Sequence, residues 1–547
     1  MPQRLVLGFL AAALVGAGVG GQQQAVPPDQ NRNRAERVEW FRDLGFGLFI
    51  HWSVDSQIGS VISHSLAGAD AAYRQRFFEV LPRSFNPDRF RPRSWAALAR
   101  LAGMRYVVFT AKHHSGFAMF DTKTTRFGIM STPYGKDITA EVVEAFRAEG
   151  LAIGFYFSPD DFHYLHTTGK VIDRAPRPGV TPQEDAGLMD LDRAQLRELL
   201  TGYGPVDIMF LDGPAEGLRD VCWDMQPDVV ITRGAMDTPE QRIPGVAIDR
   251  AWEACITMGT QWQYKPTHET YKSGTQLIEM LIETRAKGGN LLLNVGPKPD
   301  GELPVEQEER LREIALWNFA FGESIVEVRP WIVTNEGDVW FTKKKNEDTV
   351  YAFLTKVGTW TLGESRTITL QSVRATPRTR VTIPGQTGEV LEYRPDVDPR
   401  PRVRQDADGL HITVTMAQRL YNDRRWPNPV VLKITGAEAG LRPPGIDTVS
   451  GDRAAGAPRA TLVGRLAHLG EAASVEVGFQ YRRRRRTEEL YGADAPWREG
   501  NLERRTTPGE FRAVIEGLEP GDQYEFRAVA KHPLLTVYGE ERPVGGR

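Results

Sequence analysis

The sequence predicts an α/β fold, a barrel of the (β/α)8 type followed by two all-β units, and three observations carry the prediction. From Trp40 to Trp331, apolar runs of strand length alternate with amphipathic stretches. After Trp331 the texture changes to alternating strands and turns, and the Gly-, Ala- and Pro-containing stretch from Ala437 to Pro444 sets off a final group of strands. Repeated strand–helix units over this length specify a parallel sheet with helices outside it, and a closed barrel fits the length better than an open sheet.

The barrel strands are expected at Phe46 to Trp52, Arg105 to Thr110, Leu151 to Ser158, Val206 to Asp212, Asp228 to Arg233, Gly245 to Asp249 and Asn290 to Val295. These runs are β-branched, aromatic and apolar on both faces, as strands covered on both sides must be. Between them, Ser94 is placed to cap a helix from Trp95 that stops at Gly103, and Thr139 to Ala148 reads as a helix stopped by Gly150. Beyond Trp331, the segments at Val339, Thr349 to Leu354, Arg366 to Leu370, His411 to Thr415 and Val430 to Ile434 form a sandwich pattern ending near Gly436. The domain reading is 1–21 export signal, 22–37 disordered leader, 38–331 barrel, 332–436 sandwich and 437–547 linker plus final β unit.

Export is expected because Arg4 precedes an apolar run from Leu5 to Val15 and then small residues before Gln22. That run is short of the roughly 20 residues a spanning helix needs, and no later segment is long enough, so a secreted or periplasmic location without a transmembrane segment follows. The charges nearly cancel across the 547 residues, with 68 Lys and Arg against 71 Asp and Glu. A chain so balanced has no global field to draw in nucleic acid, and none is expected as a partner. Only Cys222 and Cys255 are present, which rules out a disulfide framework and a four-cysteine zinc site; one disulfide or two buried thiols both remain open.

Barrel chemistry collects at the carboxyl ends of the strands. Those ends carry His51-Trp52, Lys112-His113-His114, Tyr156 to Ser158 with Asp160-Asp161, Asp212-Gly213, Arg233-Gly234 and Asn294. His113 and His114 are adjacent, so on a continuing strand they face opposite ways, which disfavours a shared metal. Beyond the strand end both can bond a polyhydroxylated ligand. Asp212 closes the apolar run Ile208 to Leu211 and is followed by glycine, the placement of a nucleophile. Glu253 beside Trp252 is a candidate proton donor, because apolar neighbours raise a carboxyl pKa. Two carboxyl groups beside aromatic and His side chains are the parts that glycoside hydrolysis requires.

The segment Trp40 to Trp331 resembles the catalytic domain of glycoside hydrolase family 29, the α-L-fucosidases. The matching words are FGLFIHW, KHHSGFAMFDTK, GFYFS, FLDG, WEACITMGTQWQY and GGNLLLNVGPKPDG, in that order. The resemblance implies exo-hydrolysis of terminal α-L-fucose with retention, on fucosylated oligosaccharides or glycoconjugates, without metal or organic cofactor. It assigns Asp212 as nucleophile and His51, His113, His114 and Tyr156 to the sugar pocket, joined by Trp52 and Arg233. Glu253 is the expected acid/base, with Glu79, Asp160 and Asp161 as reserves. The stretch SVDSQIGSVISHSLAGAD after Trp52 lacks a Glu-Trp-Tyr phrase found in many relatives, and Phe210 stands where relatives often have Trp. Both departures touch the sugar site and leave open a related sugar such as galactose, or a non-catalytic carbohydrate-binding protein on a degenerate barrel.

The final unit, with Ala460 to Gly464, Ser474 to Arg482, Phe511 to Ile515, Tyr524 to Val529 and the phrase GLEPGDQYEFRAVA, resembles a fibronectin type III module. Arg482 to Arg486 alternate along a strand and read as a solvated edge that resists edge-to-edge pairing.

Overall fold

The computed structural model describes residues 26–174, 179–356, 358–421, 425–484 and 495–545. The export signal, Arg485 and Arg486 lie outside them.

Seven parallel strands form the first sheet: β1 (Phe46–Ile50), β2 (Tyr106–Lys112), β3 (Ala152–Phe157), β4 (Ile208–Leu211), β5 (Val230–Ile231), β6 (Glu253–Thr257) and β7 (Asn290–Val295). Their order is β5-β4-β3-β2-β1-β7-β6. The chain after β5 reaches the far edge, where Asp237 bridges in parallel to Trp252, just before β6, and Glu240 to Cys255 within it. One irregular passage, 230–241, therefore touches both edges of the sheet and stands in for an eighth strand. The expected strand at Gly245 to Asp249 is absent: this stretch is loop, and none of its residues is buried. Pro244 and Gly245 begin it, and the sheet position it was to fill is taken by 237–241.

Strand periodicity sorts the side chains into two cores. Leu48 and Ile50, Val107 and Phe109, Met209 and Leu211 and Leu291 and Leu293 point outward to the helices. Phe49, Val108, Tyr156, Phe210, Cys255 and Leu292 fill the barrel interior. The helices are fixed by local caps. Asp137 accepts from Ala140 N at the start of Ile138–Ala148, Asp185 from Leu188 N before Ala186–Gly202, and Ser273 forms a full capping box with Gln276. The helix expected from Trp95 begins earlier, at Pro92, because proline is preorganised for the first turn; Ser94 lies inside it and does not cap.

The leader also departs from expectation, since residues from Val26 onward are seated on the barrel. Asn33 accepts from Ile231 N at 2.8 Å and from Trp223 Nε1 at 3.0 Å, and donates to Ile231 O at 2.9 Å. Arg37 pairs with Asp207, and Ala35–Leu44 is already helix. A polar segment can dock without an apolar stripe when its amides complete the hydrogen bonding of a sheet edge, and here that edge is β5.

Antiparallel strands follow. A five-stranded sheet contains Val328–Glu336, Val339–Lys344, Thr349–Leu354, Val430–Thr435 and Arg380–Thr382, and a three-stranded sheet contains Ser365–Leu370, Gly409–Thr415 and Arg402–Asp406. Their core is continuous with the outer core of the barrel. Within the expected linker, Glu438–Ala439 pairs with Val373–Arg374. The last unit is a β-sandwich with its own core around Leu462, Val477, Phe479, Phe511 and Phe526. Arg482 is not a solvated edge residue: it donates to Glu525 at 2.7 Å and lies over Trp497, with 15% of its side chain exposed. Among the described residues no helix is long and apolar enough to cross a membrane.

Candidate active site

Asp212 lies one residue past β4, its N–H bonded to Phe157 O. Gly213 at φ 154° turns the chain away immediately and leaves the carboxylate at the mouth of the barrel. Tyr156, inward on β3, donates its hydroxyl to Asp212 Oδ2 at 2.6 Å. Arg233, just past β5, donates from Nη1 to Asp212 Oδ1 at 2.6 Å and from Nη2 to Glu240 Oε2 at 3.0 Å. Thr238 Oγ1 accepts from Arg233 Nε at 3.3 Å and steadies the guanidinium. Burial alone would raise the Asp212 pKa, but the charges of Arg233 and Arg174 and the bonds from Tyr156 and Arg233 hold it well below the usual carboxylate range. The group is an anion throughout the physiological range, as a nucleophile must be.

Three histidines surround it. His51 ends the β1 run and bonds Asn294 Oδ1 through Nδ1 at 2.7 Å. Asn294 Nδ2 donates to Trp262 O at 2.6 Å, which fixes the amide orientation, so Nδ1 of His51 carries the proton and Nε2 is an acceptor. His113 Nδ1 lies 2.8 Å from Ser63 Oγ, and His114 Nδ1 2.5 Å from Ser158 Oγ. Both project into the site because β2 ends at Lys112 and the chain turns at once. His113 stacks on Tyr156 at 5.2 Å and 4°, and His114 Nε2 is 3.7 Å from Asp212. Burial pushes His51 down to about 4 and His113 and His114 well below 6.5. Three neutral imidazoles, each with one ring nitrogen engaged by protein, are suited to hydroxyl groups rather than to an anion.

His113, His114 and Asp212 each place a ligand atom within 4.8 Å of the others, a spacing a metal could use. Both carboxylate oxygens are already bonded, however, and the guanidinium 2.6 Å away opposes a second cation on the same group.

Five of the expected residues do not line the pocket around Asp212. Glu253 does not join Asp212. It opens β6, paired with Asn290, four residues before Thr257 pairs with Asn294, or roughly 13 Å down the barrel. There it accepts the Tyr106 hydroxyl at 2.6 Å, fully buried, with its pKa raised by that burial to about 7. Trp52 follows inward-facing His51 and so points outward, buried among Phe85, Phe90 and Trp95. Asp161 caps the helix Phe162–Thr167 and pairs with Lys112, while Asp160 pairs with Arg174 on the side of His114 away from Asp212. Glu79 is exposed on a π-helical turn, next to Gln75. Cys222 and Cys255 are separate buried thiols.

Glu240 and Trp262 are among the site residues that escaped the sequence reading. Glu240 lies in the irregular passage, within Thr238-Pro239-Glu240, where no periodicity predicts direction. Its only prior signal was a carboxylate shortly after Arg233. Trp262 lies against His51, ring centres 4.8 Å apart and tilted by 34°, and remains partly exposed, an apolar wall beside the imidazole. It lies within a word already matched, on a loop.

The family model described as Alpha-L-fucosidase matches residues 17–323, more than half of the chain. The chain belongs to the α-L-fucosidase family. Similar proteins include the plasma α-L-fucosidase of Rattus norvegicus, 28% identical over 60% of this chain and 80% of the relative, and an α-L-fucosidase of Branchiostoma floridae, 28% identical over 66% and 88%. Among solved structures, α-L-fucosidase isoenzyme 1 from Paenibacillus thiaminolyticus superposes with a TM-score of 0.59 at 27% identity, over 74% of this chain and 99% of that one. A covalent intermediate with 2-fluoro-fucosyl fluoride, trapped in a Glu→Gln variant of a Bacteroides thetaiotaomicron enzyme, shares the fold at TM-score 0.58 and 21% identity, over 78% and 100%. The activity of this chain is that of an α-L-fucosidase, the release of α-L-fucose.

Proposed function

We propose that Asp212 and Glu240 are the nucleophile and the acid/base of this α-L-fucosidase. The observation that carries the pairing is the single Arg233 guanidinium that holds both carboxylates, one on each terminal nitrogen. Retention requires carboxyl groups about 5 to 5.5 Å apart, on the scale of one guanidinium and its two partners. Asp212 has 19% and Glu240 24% of the side chain exposed, so both are open to a ligand, whereas Glu253, Asp160 and Asp161 are sealed within 2%.

In the first step an Asp212 oxygen forms a bond to the anomeric carbon as the bond from that carbon to the leaving oxygen breaks, and Glu240, entering this step as the neutral acid, gives its proton to the leaving oxygen and is left as the carboxylate paired with Arg233. In the second, Glu240 takes a proton from water, whose oxygen displaces Asp212 from the same carbon. Arg233 and Tyr156 receive the carboxylate each time it is released. His51, His113 and His114 bind ring hydroxyls, and Trp262 offers an apolar face to the sugar's methyl and C–H groups.

The substrate is a fucosylated oligosaccharide or glycoconjugate met outside the cytoplasm, a reading supported by the Arg4, apolar and small-residue order at the N-terminus. The last β-sandwich acts as a fibronectin type III-like spacer or binding module, on the strength of the GLEPGDQYEFRAVA phrase. The test is turnover of an aryl α-L-fucoside, with the first-formed sugar examined by NMR, beside Asp212→Ala and aryl galactosides. Fucose released first as the α anomer, with no turnover by the variant, is expected. Turnover retained in Asp212→Ala, or a preference for galactoside, would overturn the reading.

A further inference from the structure

The stretch 53–70, where the sequence departs from its relatives, is built into the site. Asp55 is buried in a short helical turn, and its Oδ2 accepts from Ser63 N at 2.8 Å and from Ser60 Oγ at 3.4 Å. Gln263, beside Trp262, donates to Ser60 O at 2.6 Å and ties this loop to the opposite wall. Ser63 is held at φ 59° and ψ −31°, a left-handed conformation that a non-glycine residue keeps only when its surroundings impose it. Two features come of that geometry. Ser63 Oγ turns inward to orient His113 and to accept from Ser115 N at 2.9 Å. His64, the next residue, stands at the opening, its ring 5.3 Å from that of His114 and 6.2 Å from that of His113. Its ring feels the charges of both Asp212 and Arg174.

We infer that His64 is a further sugar-binding residue, which hydrogen-bonds one ring hydroxyl of the terminal sugar from the mouth of the pocket. The inference rests on the fucosidase reading. His51, His113 and His114 form the floor and one side; His64 is the solvent-facing imidazole on the remaining side, and the strained Ser63 fixes its approach. A hydroxyl of the bound ring, rather than a group on the aglycone, is the expected partner because His64 packs edge-on to the two imidazoles that line the ring site.

The test measures kcat/KM of the wild type, His64→Ala and His64→Gln on an aryl α-L-fucoside and on its 2-, 3- and 4-deoxy analogues. His64 is exposed, so its replacement leaves the core intact. His64→Ala should lose about tenfold on the parent, the worth of one hydrogen bond. That loss should vanish on the one analogue that lacks the partner hydroxyl, and His64→Gln should recover most activity on the parent. An equal loss on the parent and all three analogues overturns the assignment, as does no loss at all. A wild type that leaves the parent uncleaved overturns the fucosidase reading itself, a result distinct from an active enzyme indifferent to His64.

Discussion

Arg233 Nη1 donates to Asp212 Oδ1 at 2.6 Å, and this contact dictates both the ionisation and the aim of the carboxylate. The guanidinium itself is aimed by Thr238 and lies 5.0 Å from the centre of the Phe210 ring, so it is held by packing as well as by charge. Because its second terminal nitrogen holds Glu240, a side chain on the passage after β5 couples the two carboxylates that the chemistry uses.

Arg233→Lys tests that coupling. Lysine keeps the charge but is a point donor, unable to span two carboxylates in the fixed geometry of a planar fork. The expected loss in kcat/KM on an aryl fucoside is about 10- to 100-fold, the worth of one charged hydrogen bond. An active-site titration that finds the full complement of sites with unchanged turnover would show that the clamp has no catalytic part.

Glu240→Ala and Glu253→Ala separate the two acid/base candidates. Loss of the proton donor should cost roughly 10²- to 10⁴-fold on natural glycosides and little on substrates whose leaving group needs no proton. Azide should restore turnover in Glu240→Ala. Glu253→Ala removes the acceptor of the Tyr106 hydroxyl deep in the barrel, so its effect belongs to thermal stability, and whatever folds should be slowed equally on both substrate types. The reverse pattern would return the role to Glu253.

Trp52 and Trp262 make a parallel pair. Trp52→Ala opens a cavity among Phe85, Phe90 and Trp95 and should destabilise by about 3 to 5 kcal/mol, with KM unchanged in the protein that folds. Trp262→Ala should raise KM several-fold at nearly unchanged melting temperature, because this ring is partly exposed beside His51. Calorimetry beside steady-state kinetics decides, and a KM effect from Trp52 would contradict the outward orientation assigned to it.

What could be read in advance follows from periodicity. Buried strands such as Asn290–Val295 announce themselves as apolar runs, and a charge or imidazole at their ends, as at Asp212, His51 and His113, marks the mouth of the barrel. Parity within a strand orders neighbours on opposite faces: with His51 inward, Trp52 is outward. Glu253 misled for a related reason, since it stands at the beginning of its strand and not at the end, and a barrel has two ends with different roles. Glu240 and Ser63 were beyond reach because each sits on irregular backbone, whose direction is set by long-range partners, Cys255 and Arg233 for the one and Asp55 for the other.

Glu253 also predicts how stability responds to pH. In the folded barrel its carboxyl is raised by burial to about 7 from an ordinary value of 4.5, against the opposing pull of its bond from Tyr106. The folded state thus favours the neutral acid, while the unfolded chain ionises above 4.5. The contribution of this group is complete below pH 4.5, is lost as pH rises from there to about 7, and is level beyond, for a total of up to about 3 kcal/mol. Asp55, raised by burial to about 6, acts in the same sense, whereas His51, lowered by burial to about 4, contributes above pH 6.5 and loses its part on acidification. These opposing slopes overlap in the wild type, so the difference between two proteins is the informative quantity. Glu253→Gln keeps the shape and an acceptor for Tyr106 but cannot ionise. Its stability relative to the wild type should therefore climb between pH 4.5 and 7 and stay constant on either side, as followed by denaturant unfolding. Curves that run parallel across that interval would show that Glu253 is no harder to ionise inside the barrel than in water, and would overturn the prediction.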